Sequence, residues 1–290
     1  MTSVHFIYNQ SNNDTTIGNY LFNACRRVGI SCGWSNKTCL PSSAGDLLIK
    51  VDDGDYDDTP YKNLYDYPTA WWFIDSHTVF DRGLDIARNF DYTFCAQYDG
   101  YCKLKERGVD AYWLPCACEP TIHTSLAKLS DRPYDIGFAG SFDNSWNKGR
   151  KDLLHNIEKE FDNVLFSETN IGQLSIVNGS CKIIINHCVN NDINMRYFEA
   201  IGSGAILITP EIKGNGYDKM EKFPSIIQYD GTVNDAIRHI KNSIDSYADY
   251  QEDVKKASEF YKENHSYNKR LSRIMKVIRE NESVKNQEAG

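Results

Sequence analysis

One short segment carries a basic and an acidic side chain at a spacing that could serve chemistry. Arg196 and Glu199 lie three residues apart in the segment 191–209, which reads NDINMRYFEAIGSGAILIT. In a helix this spacing is close to one turn, so both side chains can reach the same solute or each other. An ion pair on a helix surface contributes only about 0.3 kcal/mol. The spacing therefore predicts either a solute-binding pair or an ordinary surface contact.

A helix and a following strand are expected to position this pair. Asn191 or Asp192 can cap the helix, and Gly204 can end it in the left-handed conformation. Residues 205–208 are apolar and predict a buried strand. One face of the helix is apolar at helical spacing, formed by Ile193, Tyr197, Ala200 and Ile201.

The rest of the chain repeats this alternation of helices with short apolar strands. In the first half we expect strands at residues 4–8, 46–51, 70–74, 92–96 and 111–114. In the second half we expect strands at residues 135–139, 164–166, 181–186, 205–209 and 226–229. Parallel strands need crossover connections, which are usually helices. The pattern predicts two α/β halves, each with a parallel sheet covered on both faces.

A polar stretch with two prolines, at residues 119–134, interrupts the alternation and marks the expected domain boundary. The predicted domains are residues 1–125, residues 130–262, and a C-terminal helix with its tail at residues 263–290. Positions 266–285 hold six Lys or Arg residues against two Glu residues. The last helix is therefore expected to be locally basic.

Composition excludes several classes of protein. The chain of 290 residues is 41% hydrophobic and 25% charged, which is close to globular averages and unlike a disordered or collagen-like chain. Its net charge of −8 argues against a protein whose whole surface is basic and binds phosphate groups. No apolar run approaches the roughly 18 residues of a transmembrane helix, and the start lacks a signal-peptide pattern. We expect a cytoplasmic protein without a transmembrane segment.

Two patterns that suggest metal sites fail on their spacing. The nine cysteines include no C-x-x-C pair, which argues against zinc. The acidic stretch 51–58, VDDGDYDD, places Asp58 where a calcium loop needs Gly and Leu64 where it needs Glu. We therefore expect no metal site.

Residues 194–205 contain the pattern N-x-R-x-F-E-A-x-x-S-G-A, and here the sequence resembles the nucleotide-sugar glycosyltransferases of the GT-B fold. It is most similar to the group that contains the spore-maturation-protein type enzymes. Three further stretches fit the resemblance, namely 72–77 (WFIDSH), 112–123 (YWLPCACEPTIH) and 136–142 (IGFAGSF). The resemblance implies two Rossmann-like domains facing a cleft, with the C-terminal helix returning to the first domain.

The resemblance places the donor, a UDP- or GDP-sugar, on the second domain. Glu199 would accept the ribose hydroxyls, and Arg196 would contact phosphate or orient Glu199. Arg150 can offer a bidentate fork to the diphosphate, whose charge would need no obligatory metal ion. The donor-binding residues expected on this basis are Gly140, Ser141, Arg150, Asn194, Arg196 and Glu199.

For activation of the acceptor hydroxyl the candidates are Asp75 and His77, which follow a predicted strand. A carboxylate or imidazole there could take the hydroxyl proton, and a structural hydrogen-bonding pair is an equal alternative. Asn13 and Asp14 are weaker candidates, because polar residues in loops commonly cap the backbone.

One departure from the family pattern leaves alternatives open. Large retaining GT-B enzymes carry an acid eight positions before the second Glu, where this chain has Asn191. The stereochemical outcome is therefore open, and so is a non-catalytic nucleotide-sugar-binding protein of the same fold. A DNA acceptor, such as a hydroxymethylated base in viral DNA, is permitted by the basic helix and disfavoured by the net charge. Without a G-x-G-x-x-G pattern, a dehydrogenase is disfavoured too.

Overall fold

The computed structural model describes residues 3–9, 16–41, 45–52, 54, 58–142, 148–168, 174–188 and 190–288. The chain divides into two compact units. Unit 1 comprises Met1–Pro115 together with Tyr267–Gly290, and unit 2 comprises Cys116–Ser266.

The strands in chain order are β1 (Ser3–Ile7), β2 (Ser31–Ser35), β3 (Leu48–Val51), β4 (Thr69–Phe73), β5 (Tyr92–Cys95), β6 (Ala111–Trp113), β7 (Tyr134–Ala139), β8 (Val164–Ser167), β9 (Cys181–Ile185), β10 (Ile206–Pro210) and β11 (Ile226–Tyr229). The helices are α1 (Ile17–Arg27), α2 (Ser76–Ala87), α3 (Tyr98–Glu106), α4 (Lys148–Glu160), α5 (Leu174–Ser180), α6 (Met195–Gly202), α7 (Val233–Asp245), α8 (Tyr247–Asn264) and α9 (Tyr267–Glu288).

Unit 1 contains a six-stranded sheet in the order β2-β1-β3-β4-β5-β6, and every neighbouring pair is parallel. Strands β3, β4 and β5 are buried along their whole length, which explains their apolar composition. Aromatic rings fill one side of this core, where Trp71 stacks on Phe73 with ring centres 4.5 Å apart.

Helix α9 completes unit 1. Its first residue, Tyr267, contacts the rings of Tyr20 at 4.8 Å and Trp72 at 6.2 Å between ring centres. Near its other end the Glu282 carboxylate accepts a hydrogen bond from the Tyr92 hydroxyl. The return of the last helix to the first domain, predicted from the resemblance, is confirmed.

Unit 2 contains a five-stranded parallel sheet in the order β11-β10-β9-β7-β8. Its core is built from the isoleucine-rich strands β9 and β10 and from apolar residues of α4, α7 and α8. The two parallel sheets confirm the predicted α/β fold class.

Several local expectations differ from the structure. Helix α6 begins at Met195 and is capped by Asn194, not by Asn191 or Asp192, because the Asn194 side chain accepts the Tyr197 N–H. Strand β2 and helix α3 were not expected. Strand β2 is an edge strand of sequence SCGWS, which carries almost no apolar alternation.

No helix in the described ranges is both long enough and apolar enough to span a bilayer. All nine cysteines are free thiols.

Candidate functional site

Strand β7 of unit 2 is followed by a glycine in a backbone conformation that other residues rarely adopt. Gly140 has φ +134°, and a Cβ at this position would lie 2.6 Å from Nη2 of Arg196. Its N–H donates to the Ser167 carbonyl at 3.0 Å. The glycine therefore lets a guanidinium group pack directly against the end of the strand.

Arg196 of α6 is held by neutral oxygen atoms. Nη2 donates to the Ala139 carbonyl at 2.6 Å and Nη1 to Oδ1 of Asn186 at 3.2 Å. The guanidinium lies over the Phe138 ring, 4.3 Å from its centre. Burial and the nearby Arg150 charge lower the pKa of Arg196 to about 10, and Glu199 opposes this shift.

Arg150 of α4 lies close to the same ring. Nη1 donates to the Ser141 carbonyl at 2.8 Å, Nη2 donates to the His187 carbonyl at 3.0 Å, and the guanidinium is 5.5 Å from the centre of the Phe138 ring. Burial lowers the pKa of Arg150. Among the described residues, Nε of Arg150 and Nε of Arg196 are buried and have no hydrogen-bond partner.

Two guanidinium groups that share one aromatic ring repel each other, so an anion at this place would be stabilised. The side chain of Arg132, by contrast, is held by the carbonyls of Cys181 and Ser203, and it serves the fold of unit 2.

Glu199 lies one turn beyond Arg196 on α6 and is 2% exposed. Within the described ranges, no residue donates a hydrogen bond to its carboxylate. Burial raises its pKa to about 7, and the charge of Arg196 opposes the shift. A buried acceptor without a donor is costly, which makes this carboxylate a place where ligand hydroxyls would bind favourably.

The imidazole of His123 faces this carboxylate, with Nε2 3.8 Å from Oε1 of Glu199. His123 is completely buried, and burial lowers its pKa to about 3 with a further contribution from Lys262. The sequence placed His123 in a family-like stretch but gave it no role. Only its spatial proximity to Glu199 identifies it.

Asn186, which follows β9, links the two parts of the site and was missed from the sequence. Its Oδ1 accepts from Nη1 of Arg196 at 3.2 Å and from Nδ2 of Asn194 at 3.1 Å. Asn194 in turn caps α6 by accepting the Tyr197 N–H at 3.2 Å. The one available signal in the sequence was a polar residue directly after the three consecutive isoleucines that end strand β9 (CKIII).

Asn191, at the position eight before Glu199, serves the loop structure. Its Oδ1 accepts the Lys213 N–H at 2.7 Å, and its backbone carbonyl accepts from Nδ2 of Asn215 at 3.0 Å. Both asparagines have left-handed backbone conformations, with φ +61° and +47°. The Asn191 side chain thus ties two loops of unit 2 together.

In unit 1 the carboxylate of Asp52, directly after β3, organises the start of α2. It accepts the N–H groups of Ile74 at 3.1 Å and Asp75 at 3.3 Å. Burial, and secondarily the charge of Asp75, raise the pKa of Asp52 to about 6. Asp52 could not be identified from the sequence, because carboxylates that follow different strands become neighbours only in the folded sheet.

Asp75 occupies the N-cap position of α2, yet its side chain makes no capping hydrogen bond. It is half-buried, and burial raises its pKa. His77 lies two residues further on the same helix and is half-buried.

Asn13 and Asp14 lie outside the described residues, as do Asp53, Asp55 and Asp57. In the part of the chain that the structure describes, no group of three or more His, Cys, Asp or Glu residues could hold a metal ion.

A family model described as glycosyl transferase-like matches residues 125–276. No curated protein matches the sequence.

Solved structures show the fold at low identity. T4 phage beta-glucosyltransferase has a TM-score of 0.62 at 13% identity, covering 95% of this chain and 99% of that one. Sucrose-phosphate synthase from Thermosynechococcus elongatus has a TM-score of 0.65 at 9% identity, covering 97% and 99%. The Anabaena protein HepE, in complex with UDP and glucose, has a TM-score of 0.64 at 10% identity, covering 96% and 100%. With the two parallel sheets, these similarities confirm the GT-B fold.

Proposed function

Since this chain belongs to the glycosyl transferase-like family, we propose that it transfers a sugar from a UDP-sugar to an acceptor hydroxyl. The observation that carries the proposal is the buried Glu199 carboxylate, which lacks a hydrogen-bond donor among the described residues and lies one turn from Arg196. A nucleoside diphosphate offers both complementary groups, since its ribose hydroxyls can donate to the carboxylate and its phosphates are anionic.

On the phosphate side, the proposed contacts are the guanidinium groups of Arg150 and Arg196. Their buried Nε atoms and their mutual proximity to the Phe138 ring favour a negative ligand. Transfer increases the charge on the departing nucleoside diphosphate, so fixed positive charge stabilises the transition state more than the ground state. The backbone at Gly140 and Ser141 and the side chain of Asn194 complete the proposed donor site.

A UDP-sugar is the proposed donor because T4 phage beta-glucosyltransferase has been solved with UDP-glucose and HepE with UDP and glucose. Thermal unfolding with UDP-, GDP-, CDP- and ADP-glucose tests this choice. A ligand at about 100 times its Kd stabilises the folded state by about 2.7 kcal/mol. If GDP-glucose were the only one of the four to stabilise the protein, the proposed donor would be a GDP-sugar and not a UDP-sugar.

On the acceptor side, Asp75 is the proposed general base. Its carboxylate is half-buried, and none of the described residues gives it a hydrogen bond. A base of raised pKa can take a proton from a hydroxyl as it attacks the anomeric carbon. His77 is the alternative base on the same helix.

In this proposal the two arginines neutralise the leaving group without an obligatory metal ion. The T4 phage enzyme has been solved with UDP and Mn²⁺, so Mn²⁺ is the ion to add back in a test. Activity after treatment with EDTA should equal untreated activity. A tenfold loss that Mn²⁺ restores would refute this part of the proposal.

Catalysis itself is tested by turnover. The chain should hydrolyse UDP-glucose slowly without acceptor, releasing UDP, and Glu199→Gln should abolish this release. Tight binding of UDP-glucose with no release of UDP across a panel of acceptors would instead favour a non-catalytic sensor of nucleotide sugars.

One observation favours a nucleic acid as the polymer that carries the acceptor hydroxyl. The segments 15–45 and 264–279 contain no Asp or Glu, although the chain has 40 acidic residues. Residues 15–45 and 267–279 belong to unit 1, where Arg27 of α1 donates to Asn268 of α9 at 3.0 Å. These two helices expose five basic side chains, called the basic face below: Arg26, Arg27, Lys269, Arg273 and Lys276, the last of which lies 3.7 Å from the Glu280 carboxylate.

Binding of a labelled DNA duplex, measured by fluorescence anisotropy over a series of salt concentrations, tests this second candidate. The double variant Arg26→Glu/Lys269→Glu should bind DNA more weakly. The slope of the logarithm of the binding constant against the logarithm of the salt concentration should also become less steep by about two, because about two fewer counterions are released. The matched control Lys159→Glu/Lys255→Glu changes two exposed lysines of unit 2 and should bind like the unmodified protein. Equal weakening by both variants would mean that overall charge, not this face, attracts DNA.

A further inference from the structure

A short turn fixes the ring of His123 against α6. The N–H groups of Ile122 and His123 donate to the Glu119 carbonyl at 3.0 and 2.8 Å. Gly202 of α6 lets the turn approach closely, since a Cβ there would lie 2.8 Å from Cβ of Cys118 and 3.5 Å from Cβ of His123. The imidazole is completely buried. It therefore has little freedom to change its orientation toward α6.

Hydrogen bonding determines which ring nitrogen carries the proton. The Glu119 N–H donates to Nδ1 of His123 at 2.8 Å, so Nδ1 must hold a lone pair. The proton of the neutral ring is then on Nε2, which is the atom 3.8 Å from Oε1 of Glu199. At that distance the N–H acts as a directed dipole and not as a full hydrogen bond.

Burial, and secondarily the charged groups around the pair, keep the ring neutral. Burial, and to a smaller extent the charge of Lys262 of α8, lower the pKa of His123 to about 3. The Glu119 carboxylate, which could oppose this, accepts instead from N and Oγ1 of Thr121 at 3.2 and 2.8 Å. The charge of Arg196, which lies on the same helix, acts on the Glu199 carboxylate and lowers its pKa against the effect of burial.

We propose that His123 is a positioning residue for the donor: its Nε2–H faces one oxygen of Glu199 and orients the carboxylate, leaving the second oxygen for ribose hydroxyls. The inference rests on the proposed function, because the hydroxyls belong to the UDP-sugar. It adds a role for a histidine that acts through Glu199.

A comparison of two ligands tests the role. UDP and 2′,3′-dideoxy-UDP differ only in the ribose hydroxyls, and the unmodified protein should bind UDP at least tenfold more tightly. His123→Leu removes the N–H, so this preference should fall to about twofold, with KM for UDP-glucose raised and kcat nearly unchanged. His123→Gln places an N–H near the same point and should restore most of the preference. His155→Leu, at an exposed histidine of unit 2, is the control.

The outcomes separate the inference from the proposed function. If the unmodified protein prefers UDP and His123→Leu keeps that preference, the positioning role is wrong and the proposed function stands. If the unmodified protein binds neither ligand, the proposed function fails and the inference fails with it.

A second measurement needs no variant, which matters because a buried histidine can be essential for folding. Nitrogen-15 NMR of the imidazole distinguishes the two neutral tautomers and the imidazolium. The inference requires the Nε2–H tautomer from pH 6 to pH 8. A proton on Nδ1, or a charged ring in this range, would overturn it.

Discussion

Gly140 and Arg196 are in such close contact that the guanidinium occupies the space of a missing Cβ. Nη2 of Arg196 would lie 2.6 Å from that atom, and the backbone at Gly140 has φ +134°. The position of the arginine on unit 2 thus depends on the absence of a side chain 56 residues earlier in the sequence.

Gly140→Ala should therefore reduce donor binding as well as stability. The positive φ costs about 1–3 kcal/mol for any L side chain, and the clash displaces the Arg196 guanidinium. Urea unfolding and the Kd of UDP report the two effects separately. Gly231→Ala is the matched control, since it also has a positive φ, +93°, but nothing within 4 Å of its Cβ position. Only Gly140→Ala should weaken UDP binding tenfold or more, and equal effects of both changes would refute the prediction.

Donor affinity should rise with pH as Glu199 ionises. Burial raises the pKa of this carboxyl to about 7 against the opposing charge of Arg196, and only the ionised form accepts two hydroxyl protons. Below pH 7 the Kd of the donor should increase about tenfold for each unit by which the pH falls, and above pH 7 the Kd should be constant. UDP-glucose is the suitable ligand, because the terminal phosphate of UDP itself titrates near pH 6. Glu199→Gln should show a flat profile, and a sloping profile in that variant would assign the titration to another group.

The same carboxyl should make the protein less stable at neutral pH than at pH 4.5. Its pKa is raised from 4.5 in the unfolded chain to about 7 in the folded one, so the folded state holds a proton that the unfolded state has released. Stability is therefore lost as the pH rises from 4.5 to 7, on the order of 3 kcal/mol in total. Relative to the unmodified protein, Glu199→Gln should gain this amount between pH 4.5 and pH 8 in urea unfolding. Parallel stability curves for the two proteins would contradict it.

Asp75→Asn should lower kcat about 100-fold or more while KM for UDP-glucose stays within twofold, because a general base acts on the acceptor and not on donor binding. Burial raises the pKa of Asp75, so the rate of the unmodified enzyme should fall with decreasing pH as this base takes up a proton. His77→Asn, tested in parallel, decides between the two candidates. Asp85→Asn, at an exposed position of α2, is the control. Near-normal turnover by the Asp75→Asn variant would show that Asp75 is not the general base.

The architecture could be predicted because its signals are local. Buried parallel strands such as β4 and β10 are short continuous apolar runs, and their alternation with helices identifies the fold class. Strand β2 escaped prediction because its sequence SCGWS lacks alternation, and its place at the sheet edge demands none.

Residue spacing alone could predict the candidate site only where its members lie close in sequence, whereas Gly140, Ser141 and Arg150 were expected from the resemblance. Arg196 and Glu199 are one helical turn apart, and their joint position on α6 follows from that spacing. Asn186, His123 and Asp52 reach their partners through sheet and turn geometry, which residue spacing does not encode. Asn191, Asp192 and Asn194 have similar propensities for the N-cap position, so the sequence does not distinguish them. The hydrogen bond from the Tyr197 N–H to the Asn194 side chain identifies Asn194 as the cap.

The placement of α9 sets an order for biosynthesis. Residues 1–115 emerge from the ribosome well before residues 267–288. The rings of Tyr20 and Trp72 therefore cannot contact Tyr267 until nearly the whole polypeptide has emerged. The segment 116–266 is continuous and can close its sheet earlier. During translation the N-terminal part of this protein is therefore the last to be finished, and a nascent chain that stops before Tyr267 leaves the rings of Tyr20 and Trp72 without this contact.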